Sequence, residues 1–421
     1  MVASKASVLN IKQKDGWIME LSNNGKLAQQ LLEAAVEQGA SDMHIEPMER
    51  DARVRLRVDG LLWELCRMPL NIYTTLVTQL KVMSGMDIAE KRVPQDGRWQ
   101  FLHSAGVVDL RLATLPTIRG EKVAVRILDR QQGLWSLADL GMSPRNLRMY
   151  QKMYAAAHGL VLLTGPTGSG KTTSLYATLR ELEQEGLNLV TLEDPVEYRL
   201  EGINQVAVNR RAGLDFATGL RSLVRQDPDI IMVGEIRDSE TASMAVQAAL
   251  TGHLVLSTLH TNSAVGAVAR LVDMGVEAYL LAAALKGVLA QRLVRRICPR
   301  CMENYQSTTV EQNFLGLTAP RQLVRGRGCE HCHGTGFAGR LAVQELLPVD
   351  EYMAELISAG AGKAALLSHG ASRGWRSLYA DGVNKVLEGQ TSVSELWRVG
   401  ILGEENMGYA NCGGQEVGYV H

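Results

Sequence analysis

The residues at positions 165–173 read GPTGSGKTT, and their types and spacing are those of a loop that binds phosphate. Glycines let the backbone adopt conformations in which several N–H groups converge on one anion. A lysine supplies charge for the β- and γ-phosphates, and the following hydroxyl is a ligand for Mg²⁺. We therefore predict a site for a nucleoside triphosphate and magnesium, formed by Gly165, Pro166, Thr167, Gly168, Ser169, Gly170, Lys171, Thr172 and Thr173. The alternative is a glycine-rich turn that binds nothing.

The segments on either side of this loop have the periodicity that such a site requires. Residues 159–164 form an apolar run of strand length, and residues 174–180 read as a helix. This order places the loop at a helix N-terminus, whose dipole attracts anions. Further apolar runs at 189–192, 230–233 and 254–257 alternate with helical segments. The pattern indicates a mostly parallel sheet with helices on both faces.

Acidic residues follow two of these runs, at the strand ends where open α/β sheets bind ligands. Glu235 comes one glycine after the run at 230–233, and we predict that it polarises the water that attacks the γ-phosphate. Glu193 and Asp194 follow the run at 189–192 and suit magnesium or the orientation of water. A capping or turn role is the alternative for this second pair.

Two histidines, His253 and His260, flank the apolar run at 254–257. A single histidine at such a place is usually a satisfied structural group. Because two of them accompany a phosphate loop and two acidic strand ends, we predict that they sense the γ-phosphate or a neighbouring subunit.

Four of the six cysteines form two CxxC pairs, which lie 27 residues apart. Paired CxxC knuckles predict a tetrahedral zinc site, and four thiolates without an open position make it structural. The predicted ligands are Cys298, Cys301, Cys329 and Cys332. His331 or His333 as a substitute ligand, and reduced thiols without metal, are the alternatives.

Three arginines, Arg98, Arg111 and Arg126, fall on or beside predicted strands in the N-terminal third of the chain. We predict that they reach a nucleotide held elsewhere, as arginine fingers do. A solvated sheet face is the simpler alternative.

The elements divide the chain into a P-loop domain of the α/β class and several smaller parts. We predict a RecA-like P-loop NTPase domain with a mostly parallel sheet, preceded by a smaller α+β domain and followed by a zinc-binding insertion and a helical C-terminal part. The predicted ranges are 1–20 (unassigned), 21–130 (α+β, with an antiparallel sheet and a type I′ hairpin turn at Asp59 and Gly60), 131–146 (linker), 147–297 (ATPase core), 298–345 (zinc module), 346–402 (helical region) and 403–421 (flexible tail).

The composition limits the classes of function. The 421 residues are 46 % hydrophobic and 21 % charged, with a formal net charge of −1, so no overall field attracts nucleic acid or acidic lipid. The N-terminus lacks the pattern of a signal peptide, and no run of about 18 apolar residues occurs. We expect a cytoplasmic chain whose partners bind local surfaces.

Four blocks of this sequence resemble the secretion ATPase superfamily, which contains the type II secretion and type IV pilus assembly ATPases. They are GPTGSGKTT, VTLEDPVEY (190–198, similar to the aspartate box), RQDPDIIMVGEIRDSETA (225–242, similar to the atypical Walker B) and TGHLVLSTLHTN (251–262, similar to the histidine box). ASDMHIEP, the RVDG hairpin and the two CxxC knuckles also resemble the family. The resemblance covers residues 25–400.

The resemblance implies ATP as the nucleotide and Glu235 as the catalytic glutamate. It also implies a homo-hexamer in which Arg98, Arg111 and Arg126 complete the nucleotide site. The partner it implies is an inner-membrane platform protein that takes up pilin-like subunits, so the protein would be peripheral at the inner membrane. Retraction ATPases of the superfamily lack the four cysteines, so their presence favours assembly or secretion. Assembly ATPases commonly carry a further N-terminal domain, whereas about 20 unassigned residues precede the matching region here.

Two other functions are compatible with parts of the sequence. The zinc knuckles and a cluster of arginines (Arg292, Arg295, Arg296 and Arg300) are compatible with a nucleic-acid module, against which stand the near-neutral charge and an aromatic content of 5 %. A regulatory protein that binds nucleotide without turnover is the other. We expect no nucleic acid among the partners.

Overall fold

The computed structural model describes residues 27–104, 106–129, 135–183 and 186–403. The chain divides into two compact units, Met1–Arg130 and Gln131–His421, and each is described by itself. The predicted segment 1–20 and residues 404–421 of the predicted tail lie outside the described residues.

The first unit is an α+β structure with an antiparallel six-stranded sheet, as predicted. Its elements are α1 (Leu27–Glu37), β1 (Asp42–Pro47), β2 (Asp51–Val58), β3 (Leu61–Pro69), α2 (Leu70–Ser84), β4 (Gln95–His103), β5 (Gly106–Thr117) and β6 (Gly120–Asp129). The strand order is β3-β2-β1-β6-β5-β4, and each neighbouring pair is antiparallel.

Alternation along β2 explains how this sheet faces its core. Val54 and Leu56 are fully buried, whereas the arginines between and beside them are half-buried. The helices α1 and α2 contribute apolar side chains to the same core. Asp59 and Gly60, between β2 and β3, both have positive φ angles of 49° and 85°. Positive φ at both central residues is the signature of the predicted type I′ turn.

The second unit contains the remaining elements. They are α3 (Pro144–Tyr154), β7 (Gly159–Thr164), α4 (Lys171–Leu182), β8 (Leu189–Glu193), β9 (Asn204–Ala207), α5 (Phe216–Leu223), β10 (Ile230–Val233), α6 (Ser239–Leu250), β11 (Leu254–Leu259), α7 (Ala264–Asp273), α8 (Ala278–Ala284), β12 (Leu285–Ile297), β13 (Met302–Gln306), α9 (Thr309–Leu315), β14 (Gln322–Gly326), β15 (Phe337–Pro348), α10 (Glu351–Ser358), α11 (Lys363–Ser372), α12 (Leu378–Leu387) and α13 (Val393–Arg398).

The seven-stranded sheet of this unit has the order β15-β12-β7-β11-β10-β8-β9. Six of the strands are parallel, and β15 pairs with β12 in the antiparallel direction. The mostly parallel sheet is therefore confirmed. Residues 337–345, expected in the zinc module, instead belong to β15, because Leu341, Val343 and their neighbours are apolar enough to be buried in the main sheet.

Two apolar cores cover the two faces of the parallel strands. Leu160 and Leu162 of β7 pack into one core, with helices α5 to α8. Val161 and Leu163 pack into the other, with α3 and α4. Because both faces are covered, every residue of β7 is buried, which explains the continuous apolar runs of the sequence.

Candidate nucleotide site and zinc centre

The loop at 165–170 connects the end of β7 to the first residue of α4. Gly165, Gly168 and Gly170 have φ angles of 152°, 79° and 85°, which L side chains rarely adopt. A Cβ atom on Gly165 would also lie 2.4 Å from the carbonyl oxygen of Gln291 on β12. The sequence therefore needs glycine here for both backbone shape and space. Pro166, Thr167 and Gly168 are exposed at the tip, Ser169 is buried, and Thr172 and Thr173 are half-buried in the first turn of α4.

Lys171 is the first residue of α4, and its side chain reaches back into the loop. Its ammonium donates to the carbonyl oxygens of Gly165 at 2.7 Å and Pro166 at 3.1 Å. Burial lowers the pKa of Lys171 to about 8, an effect that the charge of Glu235 opposes and that of Arg292 reinforces. Burial removes the water that would stabilise this charge. The negative charge of a bound phosphate would stabilise the charged ammonium instead.

Parallel register brings the carboxyl ends of β8, β10 and β11 to the edge of the sheet that carries the loop. Val233 is in register with both Leu192 and Ser257, and Leu259 is in register with Thr164. Hydrogen bonds fix the ends further, since the hydroxyls of Thr164 and Thr261 lie 2.7 Å apart. Thr261 was not selected from the sequence, because a threonine after a strand carries no distinctive signal.

Glu235 lies at this edge with its carboxylate engaged by two groups. Its side chain is 14 % exposed. One oxygen forms an ion pair with the guanidinium of Arg237, and the other lies 3.4 Å from Nε2 of His260. The structure thus brings Glu235 together with His260 and within the electrostatic reach of Lys171. Sequence reasoning missed Arg237, although its position two residues after the acid was a usable signal.

Glu193 is buried at the end of β8 and accepts three hydrogen bonds. The donors are the hydroxyl of Thr191 at 2.6 Å, the hydroxyl of Tyr176 and Nε2 of Gln205 at 3.1 Å. Burial raises the pKa of Glu193, and these three donors oppose the rise. Its carboxylate therefore holds β8, β9 and α4 together at the site.

Asp194 follows it and is more accessible. Its side chain is 33 % exposed and lies 3.6 Å from the guanidinium of Arg210. Of the two acids on this strand end, Asp194 is the one whose oxygens face solvent.

His253 lies at the other edge of the sheet. It precedes Leu254, the first residue of β11, whereas His260 follows Leu259, the last. The six residues between them span about 20 Å. Its Nδ1 lies 2.9 Å from the carbonyl oxygen of Ala248. The structure does not bring His253 to the phosphate loop of its own chain.

The three predicted arginines of the first unit lie in one row across three strands. Arg98 is in register with Arg111, and Arg111 is in register with Arg126. The row continues through Asp42 to Arg57, so four arginines and one aspartate share it. Arg98 and Arg126 are exposed, and Nε of Arg126 lies 3.3 Å from the carboxylate of Asp42. Like charges directly opposite each other destabilise a sheet, so an anion bound at this row would relieve the repulsion between its arginines.

The four predicted zinc ligands meet in one cluster. All four Sγ atoms lie within 4.8 Å of one another. The distances are 3.9 Å for Cys298–Cys329 and 3.7 Å for both Cys301–Cys332 and Cys329–Cys332. A tetrahedron with Zn–S bonds of about 2.3 Å has edges of about 3.8 Å, so the cluster fits Zn²⁺.

The surroundings of the cluster show where the two nearby histidines lie and what the long stretch between the knuckles forms. The side chains of His331 and His333 are exposed and, in the described part of the chain, no histidine joins the group of possible ligands. The long stretch between the knuckles contains β13, α9 and β14, with β13 and β14 paired as a hairpin. Burial alone would raise the pKa of Cys332, but hydrogen bonds from the backbone N–H groups of Cys329 and Gly336 and from the side chains of Cys329 and Cys301 together lower that pKa to about 6.

Two of the four arginines near the first knuckle have partners within the protein. The guanidinium of Arg295 bonds to Glu395 at 2.7 Å and lies over the ring of Phe337. Arg292 donates to Asn262 at 2.9 Å. These contacts give both arginines a role inside the fold and do not favour a nucleic-acid surface.

A glycine-rich phosphate loop at a strand-to-helix junction, beside an acid on a neighbouring strand end, defines the P-loop class of nucleotide-binding proteins. The chain belongs to the Type II/IV secretion system protein family, whose model matches residues 20–398. Type II secretion system protein E of Pseudomonas aeruginosa is 49 % identical over 376 residues, which cover 89 % of this chain and 75 % of that protein. The type IV pilus assembly ATPase PilB of Thermus thermophilus is 45 % identical over 88 % of this chain and 42 % of its own length.

Solved structures show the same fold. The pilus retraction motor PilT with bound ADP matches with a TM-score of 0.61 at 23 % identity, covering 89 % of this chain and 97 % of its own. The ATPase DotB of Legionella pneumophila matches with a TM-score of 0.65 at 22 % identity, covering 88 % and 94 %. None of the helices within the described ranges is long and apolar enough to cross a membrane.

Proposed function

We propose that this protein is an ATP hydrolase that drives the assembly of a type IV pilus or of the pseudopilus of a type II secretion system. The observation that carries the proposal is that Glu235 lies at a strand end within electrostatic reach of Lys171, where its carboxylate would face the terminal phosphate of a nucleotide in the loop. The relatives support it, since they are named as type II secretion proteins and as type IV pilus assembly ATPases.

The residues of the site divide the chemistry among them. The loop N–H groups and Lys171 bind the phosphates, and Glu235 accepts the proton of the attacking water. Its partners Arg237 and His260 orient this carboxylate, and His260 responds to the terminal phosphate. Glu193 holds the strand ends in position through its three hydrogen bonds.

Magnesium would be held by the hydroxyl of Thr172, with Asp194 reaching it through water. The half-buried hydroxyl in the first turn of α4 and the solvent-facing carboxylate after β8 fit a hard cation that prefers oxygen ligands. When bound, the ion neutralises charge that develops on the phosphates.

The arginine row supports a role for more than one subunit. We propose a homo-hexamer in which Arg98, Arg111 and Arg126 of the first unit complete a nucleotide site, so that turnover requires assembly. In this scheme the nucleotide phosphates relieve the repulsion between the aligned arginines. His253, which lies far from the loop of its own chain, is left with the predicted role at a neighbouring subunit.

The family supports a proposal for the location and the partners. We propose that the protein is cytoplasmic, binds peripherally at the inner membrane and transmits motion to a platform protein that takes up pilin-like subunits. Zn²⁺ on Cys298, Cys301, Cys329 and Cys332 would be structural, since four thiolates leave no position for a substrate.

The test is Glu235→Gln, which removes the proton acceptor but keeps the size of the side chain. We expect phosphate release to fall by about 10²-fold or more while a fluorescent ADP analogue still binds. The matched control is Glu240→Gln, because Glu240 is an exposed acid of α6 paired with Arg221. Hydrolysis by the Glu235→Gln protein at the rate of the control would refute the assigned role, and no hydrolysis by the wild-type hexamer would refute the proposed function.

A further inference from the structure

Gln291 of β12 is almost fully buried directly against the phosphate loop. Its Nε2 donates to the carbonyl oxygen of Ser169 at 2.6 Å. Its Oε1 accepts from the hydroxyl of Ser174, in the first turn of α4, at 3.0 Å. One side chain therefore binds the loop and the helix that follows it.

The chemistry of these two contacts requires a side-chain amide. The carbonyl oxygen of Ser169 can only accept a hydrogen bond, whereas the hydroxyl of Ser174 uses its proton towards Gln291. Ser169 is 3 % exposed and Ser174 is 0 % exposed, so water does not replace a lost partner. A carboxylate would satisfy only the hydroxyl, and a hydrocarbon would satisfy neither group.

The loop packs closely against Gln291 at two of its glycines. A Cβ atom on Gly165 would lie 2.4 Å from the backbone oxygen of Gln291, and one on Gly170 would lie 2.8 Å from its Nε2. Both ends of the loop thus rest on the same residue. In a planar trans peptide the C=O and N–H groups point in opposite directions. Holding the oxygen of Ser169 towards β12 therefore turns the N–H of Gly170 away from β12.

The amide of Gln291 is itself held by the C-terminal part of the second unit. Nε2 of Gln344, on the adjacent strand β15, lies 3.4 Å from Oε1 of Gln291. The backbone N–H of Gln344 donates to the carboxylate of Asp381 on α12 at 2.9 Å. A continuous set of buried hydrogen bonds thus connects α12 with the loop, which fixes the orientation of the amide before a nucleotide arrives.

We propose that Gln291 is a positioning residue of the phosphate loop: by holding the carbonyl of Ser169 it sets the direction of the N–H of Gly170, one of the loop donors to the nucleotide. The inference deepens the proposed function and rests on it, since it assumes that the loop binds ATP and ADP. The residue acts through the backbone of the loop and touches no reacting atom.

The experiment uses Gln291→Glu in the full chain and measures the affinity of a fluorescent ADP analogue at pH 6 and pH 8. A protonated carboxyl donates to the carbonyl of Ser169 and accepts from Ser174, as the amide does, whereas an ionised carboxylate repels that carbonyl. Burial favours the protonated form at the lower pH. We expect affinity close to wild type at pH 6 and roughly tenfold weaker than wild type at pH 8, from the loss of one buried hydrogen bond. A role in folding alone would not restore binding at low pH.

The control and a second variant make each outcome decisive. Gln312→Glu, whose amide donates to the carbonyl oxygen of Ser307 between the zinc knuckles, should show the pH dependence of the wild type. Gln291→Met, which fills the space without hydrogen bonds, should bind about tenfold more weakly at both pH values. If Gln291→Glu does not fold, the Gln291→Met result decides. Wild-type affinity in Gln291→Met, or no excess pH dependence in Gln291→Glu, overturns the inference while leaving the proposed function intact. If the wild type binds the ADP analogue at neither pH, both the inference and the proposed function are overturned.

Discussion

The buried ammonium of Lys171 predicts that nucleotide binding weakens as the pH rises above neutrality. In the free protein, burial lowers the pKa of this group to about 8 from an ordinary value of 10.5. Phosphates in the loop restore the charged form, so the pKa in the complex lies near or above the ordinary value. Binding therefore takes up a proton whenever the pH exceeds about 8.

The size of the effect follows from these two pKa values. At pH 7 the free ammonium is almost fully charged, so protonation costs almost nothing. At pH 9 only about a tenth of the free protein carries the charge, and the complex remains charged, so affinity falls by about tenfold between pH 7 and pH 9. The phosphate groups of ADP are ionised throughout this range, since their last pKa lies near 6. The slope therefore reports the protein.

The assay is a titration with the fluorescent ADP analogue at pH 7, 8 and 9, at constant ionic strength. Lys171→Arg is the control, because a guanidinium stays charged over the whole range. Its absolute affinity will be lower, since the fork of arginine does not fit the contacts of a lysine, but its affinity should not depend on pH. A wild-type affinity that changes less than twofold between pH 7 and 9 would refute the reasoning, and so would an equal slope in Lys171→Arg.

Three further predictions concern other parts of the molecule. Glu193→Gln should lower the free energy of unfolding in urea by about 1–3 kcal/mol, because the new amide presents a donor to one of the buried donors that now bind the carboxylate. Cys301→Ser should reduce the zinc measured by mass spectrometry and lower the melting temperature, whereas an unchanged zinc-to-protein ratio would exclude the four-sulfur site. Arg98→Ala should reduce ATP turnover of the assembled protein by about 10³-fold while ADP affinity is maintained. Arg119→Ala, at an exposed hairpin, is the control. Equal turnover in the two variants would contradict the role of the arginine row.

The parts of the fold that the sequence predicts well are those where one physical signal dominates. The apolar runs of β7, β8, β10 and β11 are buried on both faces, so their composition alone marks them as parallel strands. The Asp59–Gly60 turn is readable because few residue pairs tolerate positive φ at both positions.

The strands β12 and β15 were not recognised, because polar residues interrupt their apolar runs. Gln291 and Gln344 are almost fully buried, and Nε2 of Gln344 donates to Oε1 of Gln291 across the two strands. This contact depends on pairing between segments that are about 50 residues apart in sequence, which periodicity within one segment does not reveal.

The candidate site shows the same limit. Residue types at the strand ends indicated Glu235 and His260, whose proximity the parallel register then produced. The row of Arg98, Arg111 and Arg126 depends on the register of three antiparallel strands, so the sequence suggested each arginine without revealing their alignment. His253 and His260 are close in sequence, but they lie at opposite ends of β11. His253 is therefore distant from the phosphate loop of its own chain.

The length of β12 has a mechanical consequence. This strand supports the phosphate loop at Gln291, runs for six more residues to Ile297, and passes directly into Cys298 of the metal cluster. Hydrogen bonds pair its backbone with β15 along most of this length, and we expect this pairing to make the strand stiff. We expect a strain applied at the metal cluster to reach the floor of the nucleotide site, which lies roughly 20 Å away along this strand.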